Sequence, residues 1–220
     1  MSTPSTIGGR ELLAALKATA GGDGPPLLVP VGKPPAAYLR PVPTRPDRIN
    51  RNDVRCLTEW RNKFLPAFLT EFEATEARTS RWLTEHVGPN PGKILFMVEE
   101  PNGNAFAYMG LDMIDWERGY GEADAIVRGG EAPKGVMTSA LQTLLNWAQS
   151  ALGLKHLGVR VRSNNTAVDF YKKCGFVETH RVSLRRIDEP GMIRYVEDPN
   201  AREAHGFALV YMDYHGPRKT

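Results

Sequence analysis

A glycine-rich segment at residues 129–138 has the composition of an anion-binding turn. Its sequence is Gly-Gly-Glu-Ala-Pro-Lys-Gly-Val-Met-Thr, and it joins a predicted strand to the clearest predicted helix. The first N–H groups of a helix lack intrahelical acceptors and lie at the positive end of its dipole, so they can bind a phosphate. Val136 and Met137 stand where a Walker loop needs Lys and Ser or Thr, which excludes that motif. The segment by itself fits either an anion site or an ordinary strand-to-helix turn.

A second pattern, at residues 164–176, has the sequence Asn-Asn-Thr-Ala-Val-Asp-Phe-Tyr-Lys-Lys-Cys-Gly-Phe. It resembles the pattern N-x-x-A-x-x-x-Y-x-K-x-G-F of the Gcn5-related N-acetyltransferases (GNAT). Residues 134–140 resemble the coenzyme A pyrophosphate loop of that superfamily, especially in its ribosomal-protein-alanine and amino-sugar branches. Residues 59–62 and 79–83 resemble the first two helices of the same branch. In coarse order, the resemblance covers Ala36 to Tyr214.

The resemblance implies acetyl coenzyme A as co-substrate, and no metal. By resemblance, the residues that contact the coenzyme are Val127, Arg128, Lys134, Gly135, Val136, Met137, Thr138, Asn164, Ala167, Phe170 and Lys173. Asn164 is expected to contact the pantetheine arm and also to cap the following helix. A backbone N–H near Val127 or Arg128 would bind the thioester oxygen. The loop departs from the family pattern at Ala132 and Pro133, and because proline has no N–H, one phosphate contact is expected to be missing.

Acetyl transfer to an amine needs an acid for the departing thiolate and a base for the incoming ammonium. By resemblance, Tyr171 is the acid, and its phenol, with a reference pKa of roughly 10, can share a proton with a thiolate of roughly 8.5. The alternative is a core tyrosine. Glu122 is the first candidate base and Asp124 the second, because residues two apart lie on one face of a strand. Exposed strand charges are the alternative for both carboxylates, and His180 and His205 are further candidate bases.

Periodicity and turn residues predict the elements that position these groups. The predicted helices are Ile7–Ala20, Asn52–Phe64, Thr75–His86, Gly135–Leu152 and one that runs from Asn164 and Asn165 to Lys173. The predicted strands are Tyr38–Pro43, Lys93–Glu99, Ala105–Asp115, Glu122–Arg128, His156–Arg162, Phe176–Ile187 and Phe207–Tyr214. A polar segment separates the last two strands. The expected fold is α+β, with a mixed, mostly antiparallel sheet flanked by helices and an N-terminal extension.

Nine of the 17 prolines fall within the first 46 residues, so residues 1–36 are predicted to be an accessory segment and 37–220 the acetyltransferase domain. The net charge of +3 does not indicate a nucleic-acid partner. Two cysteines without CxxC spacing do not suggest a zinc site or a disulfide framework. We see no signal peptide and no apolar run long enough to span a membrane, and we expect a cytoplasmic protein that could form a homodimer.

The expected activity is N-acetylation of a small-molecule amine, such as an amino sugar or its nucleotide conjugate. Arginines at positions 61, 181, 185, 186 and 194 could bind a substrate phosphate, although surface ion pairs explain most of them better. We expect the acceptor-binding side of the site to be lined by Trp60, Trp82 and residues 188–206. Two alternatives stay open: acetylation of a protein N-terminus, and a non-catalytic coenzyme A sensor.

Overall fold

The computed structural model describes residues 8–200 and 207–217. The helices in these residues are α1 (Gly9–Thr19), α2 (Arg51–Lys63), α3 (Glu76–Trp82), α4 (Val136–Ser150) and α5 (Ala167–Cys174). The strands are β1 (Val29–Val31), β2 (Ala37–Pro41), β3 (Thr70–Glu71), β4 (Ile94–Glu99), β5 (Ala105–Asp115), β6 (Tyr120–Arg128), β7 (His156–Arg162), β8 (Phe176–Glu189), β9 (Met192–Glu197) and β10 (Ala208–Tyr214). Helix α3 continues as a wider π-helical turn, Leu83–Val87.

The strands form one sheet in the order β1-β2-β4-β5-β6-β7-β10-β8-β9-β3. Every neighbouring pair is antiparallel except β6 and β7, which run parallel. That parallel ladder spans only Tyr120–Glu122 on β6, although β6 continues to Arg128. The two strands therefore separate beyond Glu122 and leave an opening in the middle of the sheet. The α+β architecture predicted from the sequence is confirmed.

Each face of the sheet has its own apolar cluster. Helices α1, α4 and α5 cover one face, where the regularly spaced Leu141, Leu144 and Leu145 of α4 are completely buried. Helices α2 and α3 cover the other face, where Trp60 packs with Tyr108. Full burial of a leucine side chain contributes roughly 1.5–3 kcal/mol, so the α4 stripe anchors the helix whose N-terminus faces the opening.

The described residues before Ala37 pack against the sheet. Leu13 and Leu16 of α1 lie in the α4-side cluster, and β1 pairs with β2. The ammonium of Lys17 is buried and donates three hydrogen bonds to backbone carbonyls. Its acceptors are Val87 O at 2.7 Å, Asn90 O at 2.7 Å and Lys93 O at 3.2 Å. The domain boundary after residue 36 stays a prediction, and Ile7, the predicted first residue of α1, lies outside the described residues.

The polar segment after Ile187 differs from its prediction. Strand β8 continues to Glu189, and Met192–Glu197 forms β9, which pairs with β8 around a turn at Gly191 (φ 71°). The polar segment predicted to separate the last two strands therefore contains a further strand, and the turn residues around Gly191 close a hairpin. Strand β9 then pairs with the short β3, so the hairpin covers the acceptor side of the opening. Among residues 8–200 and 207–217, no helix is long and apolar enough to cross a membrane.

Candidate active site

The N-terminus of α4 presents free backbone donors. Gly135 precedes the helix in the left-handed conformation (φ 85°) and no side chain caps it. The Val136 N–H donates to Pro133 O at 3.2 Å, while the N–H groups of Met137 and Thr138 have no acceptor in the described part of the chain. These donors fit a pyrophosphate, and the exposed Lys134 lies beside them. Pro133 contributes a carbonyl to this turn in place of a donor.

Strand β6 bends immediately before the loop. Ala125 has a φ of 52°, and the register shifts there so that Ala125 and Ile126 both lie opposite Met109 of β5. Such a bulge bends the strand and changes the direction in which the following residues point. The Gly129 N–H donates to Phe106 O at 3.0 Å, so the alternation of the ladder turns the Arg128 N–H toward the opening. Arg128 is thus the better placed of the two predicted donors for a thioester oxygen, and this role stays a prediction.

The N-cap residue of α5 is Thr166, whose side chain makes no cap hydrogen bond, and Asn165, not Asn164, binds the first N–H of the helix. The Asn165 Oδ1 accepts the Ala167 N–H at 2.9 Å, whereas the Asn164 Oδ1 accepts from Arg162 Nε at 3.3 Å. The prediction that Asn164 caps the helix is therefore wrong, because the helix begins at Ala167 and the turn that precedes it requires the nearer asparagine. Asn164 is exposed at the end of β7. Its predicted contact with the coenzyme is compatible with this position.

Tyr171 is buried where α5 meets the sheet. Its ring packs against Phe176 at a centroid distance of 5.8 Å and against Phe170 at 5.5 Å. Burial first, then the electrostatic effects of Asp124 and Cys174, raise the pKa of Tyr171 above its ordinary value. The phenol therefore keeps its proton across the neutral range, as a general acid requires. The two interpretations of this residue, core packing and proton donation, are compatible.

The other predicted coenzyme residues lie on both sides of the opening. Ala167 and Phe170 of α5 are half-buried and pack against the α4-side cluster, and Lys173 is exposed in the last turn. Val127 is buried in the cluster below α2, and Arg128 is exposed. The structure thus brings the loop, the α5 residues and the end of β6 to one end of the gap between β6 and β7.

The two candidate bases differ in their partners. Glu122 is buried, and both of its oxygens are bonded: Oε1 accepts from the Tyr120 hydroxyl at 2.8 Å and Oε2 from Arg160 Nε at 2.7 Å. Asp124 has a side chain that is 43% exposed, and its Oδ2 accepts from Lys93 Nζ at 3.0 Å. Both carboxylates line one cavity, as expected from their spacing on β6.

This cavity has a volume of about 340 Å³ and lies between β6 and the β8–β9 hairpin. Its lining residues are Leu69, Glu122, Ala123, Asp124, Arg160, Leu184, Tyr195, Val196, Glu197 and Leu209. Three carboxylates face one guanidinium there, so the lining is acidic. The predicted wall residues Trp60 and Trp82 do not belong to this lining; residues 195–197, from the predicted 188–206 segment, do.

None of the arginines proposed for a substrate phosphate lines this cavity. Four of them form surface ion pairs, namely Arg181 with Glu178, Arg185 with Asp198, Arg186 with Asp188 and Arg194 with Glu189. Arg61 donates to Thr70 O at 2.9 Å and lies between the rings of Phe68 and Phe72. The ion-pair interpretation therefore fits these side chains better than phosphate binding.

The sequence analysis missed Arg160, Lys93 and Glu197. A signal for Arg160 was present, because it and Arg162 interrupt the otherwise apolar β7 at alternating positions, which places both on one face. His180 is exposed and stacks on Tyr211 at 4.2 Å, away from the cavity lining, and His205 lies outside the described residues. Within residues 8–200 and 207–217, no group of three His, Cys, Asp or Glu side chains could hold a metal ion.

Comparisons with known proteins agree with this geometry. The family model described as "Acetyltransferase (GNAT) domain" matches residues 47–183. No curated protein matches the chain. A spermidine N-acetyltransferase from Vibrio cholerae, solved with CoA and spermine, superposes with a TM-score of 0.62 at 19% identity, over 81% of this chain and 94% of its own.

Two further solved structures give the same fold. A chimera of the Vibrio cholerae spermidine N-acetyltransferase has a TM-score of 0.60 at 21% identity, over 81% of this chain and 95% of its own. A GCN5-related N-acetyltransferase from Brucella melitensis has a TM-score of 0.59 at 15% identity, over 86% of this chain and 79% of its own. With the family model matching more than half of the residues, the chain belongs to the GNAT family and is an acetyl-coenzyme-A-dependent N-acetyltransferase.

Proposed function

We propose that this enzyme acetylates a primary amine of a small polycation, with polyamines as the acceptor class. The observation that carries the proposal is the acidic cavity, whose lining contains Glu122, Asp124 and Glu197 together with Arg160. An ammonium group gains from such a lining, whereas a phosphate is repelled by it. The structural neighbour solved with CoA and spermine supports the same class of acceptor.

The acidic lining favours polyamines over the amino-sugar nucleotide suggested by the branch resemblance. A nucleotide conjugate would bring two phosphates toward three carboxylates. Four of the five arginines that could have offset this charge are held in surface ion pairs, as Arg185 is with Asp198 at 3.0 Å, and the fifth, Arg61, does not line the cavity. The resemblance to the ribosomal-protein-alanine branch concerns the coenzyme loop and residues 59–62 and 79–83, and none of these residues lines the cavity.

The proposed roles follow from the position of each group around the opening. The free N–H groups of Met137 and Thr138 would hold the pyrophosphate, and Asn164 the pantetheine arm. When bound there, acetyl coenzyme A supplies an activated acyl group. The Arg128 N–H would stabilise charge on the thioester oxygen, and Tyr171 would protonate the sulfur that leaves.

The test is coenzyme A release from acetyl coenzyme A, measured with a thiol reagent against several acceptors. The panel contains spermidine, spermine, an aminoglycoside, a nucleotide-linked amino sugar and peptides with free N-termini. We expect the highest kcat/KM with the polyamines. Release with the peptides alone would support a protein N-terminal acetyltransferase, and binding of acetyl coenzyme A without release would support a coenzyme A sensor; either result overturns the proposal.

A matched pair of variants tests the cavity itself. Glu197→Gln removes one cavity charge and should raise the KM for spermidine about tenfold, which is the effect of losing one interaction of about 1.4 kcal/mol. Glu189→Gln removes the same charge from the outer hairpin, where Glu189 pairs with Arg194, and should leave the KM unchanged. Equal effects of the two variants would mean that the cavity does not bind the acceptor.

A further inference from the structure

Lys93 connects two carboxylates on the face of the sheet that carries the acceptor cavity. Its Nζ lies 2.5 Å from Asp112 Oδ2 and 3.0 Å from Asp124 Oδ2. The side chain is only 13% exposed, and its Nζ lies 5.7 Å from the centroid of the Trp82 ring. Burial disfavours the ammonium, but Asp124 and Asp112 outweigh it and raise the pKa of Lys93. Lys93 is therefore a fixed positive charge between two negative ones.

The three residues come from neighbouring strands, which explains their alignment. Asp112 on β5 pairs with Glu122 on β6, and Lys93 immediately precedes β4. Because side chains alternate along each strand, Lys93, Asp112 and Asp124 point to the same side of the sheet. The bond to Lys93 leaves Asp124 Oδ1 without a protein partner in the described chain, and this oxygen is available to an incoming group.

Glu122, in contrast, has no such free oxygen. Tyr120 and Arg160 occupy one oxygen each, and the side chain is only 10% exposed. A proton accepted by Glu122 would therefore share an oxygen with one of these donors, whereas Asp124 Oδ1 carries no donor. Asp124 also lines the acceptor cavity, and its negative charge contributes to the raised pKa of Tyr171.

We propose that Asp124 takes the proton from the acceptor's ammonium, and that Lys93 and Asp112 are positioning residues that set how readily it does so. The inference rests on the proposed function. In this step an N–H bond of the ammonium breaks and an O–H bond forms on Asp124, which leaves the nitrogen lone pair free to attack. Lys93 holds the carboxylate of Asp124 in place, and Asp112 shares the same ammonium.

Other charged and titratable groups surround Asp124 and are kept constant in the test. They are Tyr108 on β5, Glu122 on β6, Arg160 on β7, Tyr171 on α5 and Glu197 on β9. None of them is altered by changes at Lys93 or Asp112. A change in pH dependence that follows such a substitution can therefore be assigned to the Lys93 and Asp112 charges.

The experiment measures the pH dependence of kcat/KM for spermidine. Lys93→Met should move the midpoint of the acid limb to higher pH by about one unit, because a nearby cation favours the ionised carboxylate. Asp112→Asn should move the midpoint to lower pH, and Lys93→Arg should restore it to near the wild-type position. Packing damage would lower activity in both variants but would not move the midpoint in opposite directions.

Two further variants decide between the carboxylates. If Glu122 were the base, Arg160→Met would shift the acid limb and Lys93→Met would not, and that outcome overturns the proposal. An unchanged midpoint in both Lys93→Met and Asp112→Asn overturns it as well. Lys155→Met, an exposed change outside the cavity, is the control for a general charge effect.

A readout without turnover separates this inference from the proposed function. In protein labelled with 13C at aspartate carboxyls, the Asp124 signal should show the same opposite midpoint shifts in Lys93→Met and Asp112→Asn. If these shifts are seen but no amine causes coenzyme A release, the proposed acceptor class is rejected, while the effect of Lys93 and Asp112 on Asp124 is supported. If the midpoint of the Asp124 signal is unchanged by both substitutions, the effect of Lys93 and Asp112 on Asp124 is rejected, even if spermidine is acetylated.

Discussion

The indole of Trp60 lies against the α-carbon of Gly129, on the side where any other residue carries its Cβ. A Cβ built at Gly129 would stand 2.0 Å from two atoms of the Trp60 ring. Trp60 itself is held by parallel stacking on Tyr108, with ring centroids 6.2 Å apart. Helix α2 and the start of the predicted coenzyme loop therefore meet through a glycine, and a side chain at position 129 would change how the loop packs.

Gly129→Ala should weaken both stability and coenzyme binding. The backbone of Gly129 is tied to Phe106 O, so the loop cannot move away from the indole without losing this bond. Overpacking of this kind costs about 1–3 kcal/mol, which urea unfolding can measure. Calorimetry should show weaker binding of acetyl coenzyme A. Gly24→Ala is the control, since no atom lies within 4 Å of a Cβ at that position, and an equal loss in both variants would contradict this account.

Tyr171→Phe should lower kcat by about 10²-fold while leaving the affinity for acetyl coenzyme A nearly unchanged. The phenol is lost but the ring keeps its packing on Phe176, so the fold should persist. Stopped-flow turnover and calorimetric binding measure the two quantities. Tyr214→Phe is the matched control, because the Tyr214 hydroxyl is also buried and has no hydrogen-bond partner in the described residues. Unaltered turnover in Tyr171→Phe would remove the residue from the acid role.

Local signals in the sequence were sufficient for most of the elements. The α4 stripe of Leu141, Leu144 and Leu145 has helical spacing, and all three are fully buried as that spacing predicts. Gly175, with a φ of 104°, ends α5, and a glycine that follows a helical pattern is also a signal within a short stretch of sequence. These predictions succeeded because a short window contains both the apolar face and the residues that end the element.

The site depended on contacts between distant parts of the chain, which no window contains. Lys93 and Asp124 are 31 positions apart and meet only because β5 lies between their strands. Beyond the end of its ladder with β7, strand β6 carries a bulge at Ala125, a residue with no special preference for positive φ. Asn164 and Asn165 were equivalent in the sequence, and only the observed start of α5 showed that Asn165 binds the first N–H of the helix.

Lys17→Met should destabilise the protein by about 1–3 kcal/mol, because three carbonyl oxygens lose their donor. Burial lowers the pKa of Lys17 to about 8, below its unfolded value of 10.5. Between these values the unfolded chain binds more protons at this site than the folded one, so stability rises with pH. The stability advantage of the wild type over Lys17→Met should therefore grow between about pH 8 and pH 10.5, as measured by urea unfolding. A constant difference would show that the carbonyls keep the ammonium charged through this range.

Arg162 joins the end of β7 to the wall of the acceptor cavity. Its guanidinium is 3% exposed, donates to Glu71 Oε1 at 2.7 Å and to Phe68 O at 3.0 Å, and lies over the Tyr195 ring at 4.0 Å. Removing one partner of a buried pair costs about 3–5 kcal/mol, because the other charge stays buried and uncompensated. Arg162→Met should therefore destabilise the protein strongly.

A double-mutant cycle with Glu71→Gln isolates the contribution of the pair. The double variant should be more stable than the sum of the two single effects predicts, by about 1 kcal/mol or more in urea unfolding. Because Leu69 of the cavity lies between Phe68 and Glu71, Arg162→Met should also raise the KM for spermidine more than it lowers kcat. Additive losses would mean that Arg162 stabilises the wall through its contact with Tyr195, and not through the ion pair.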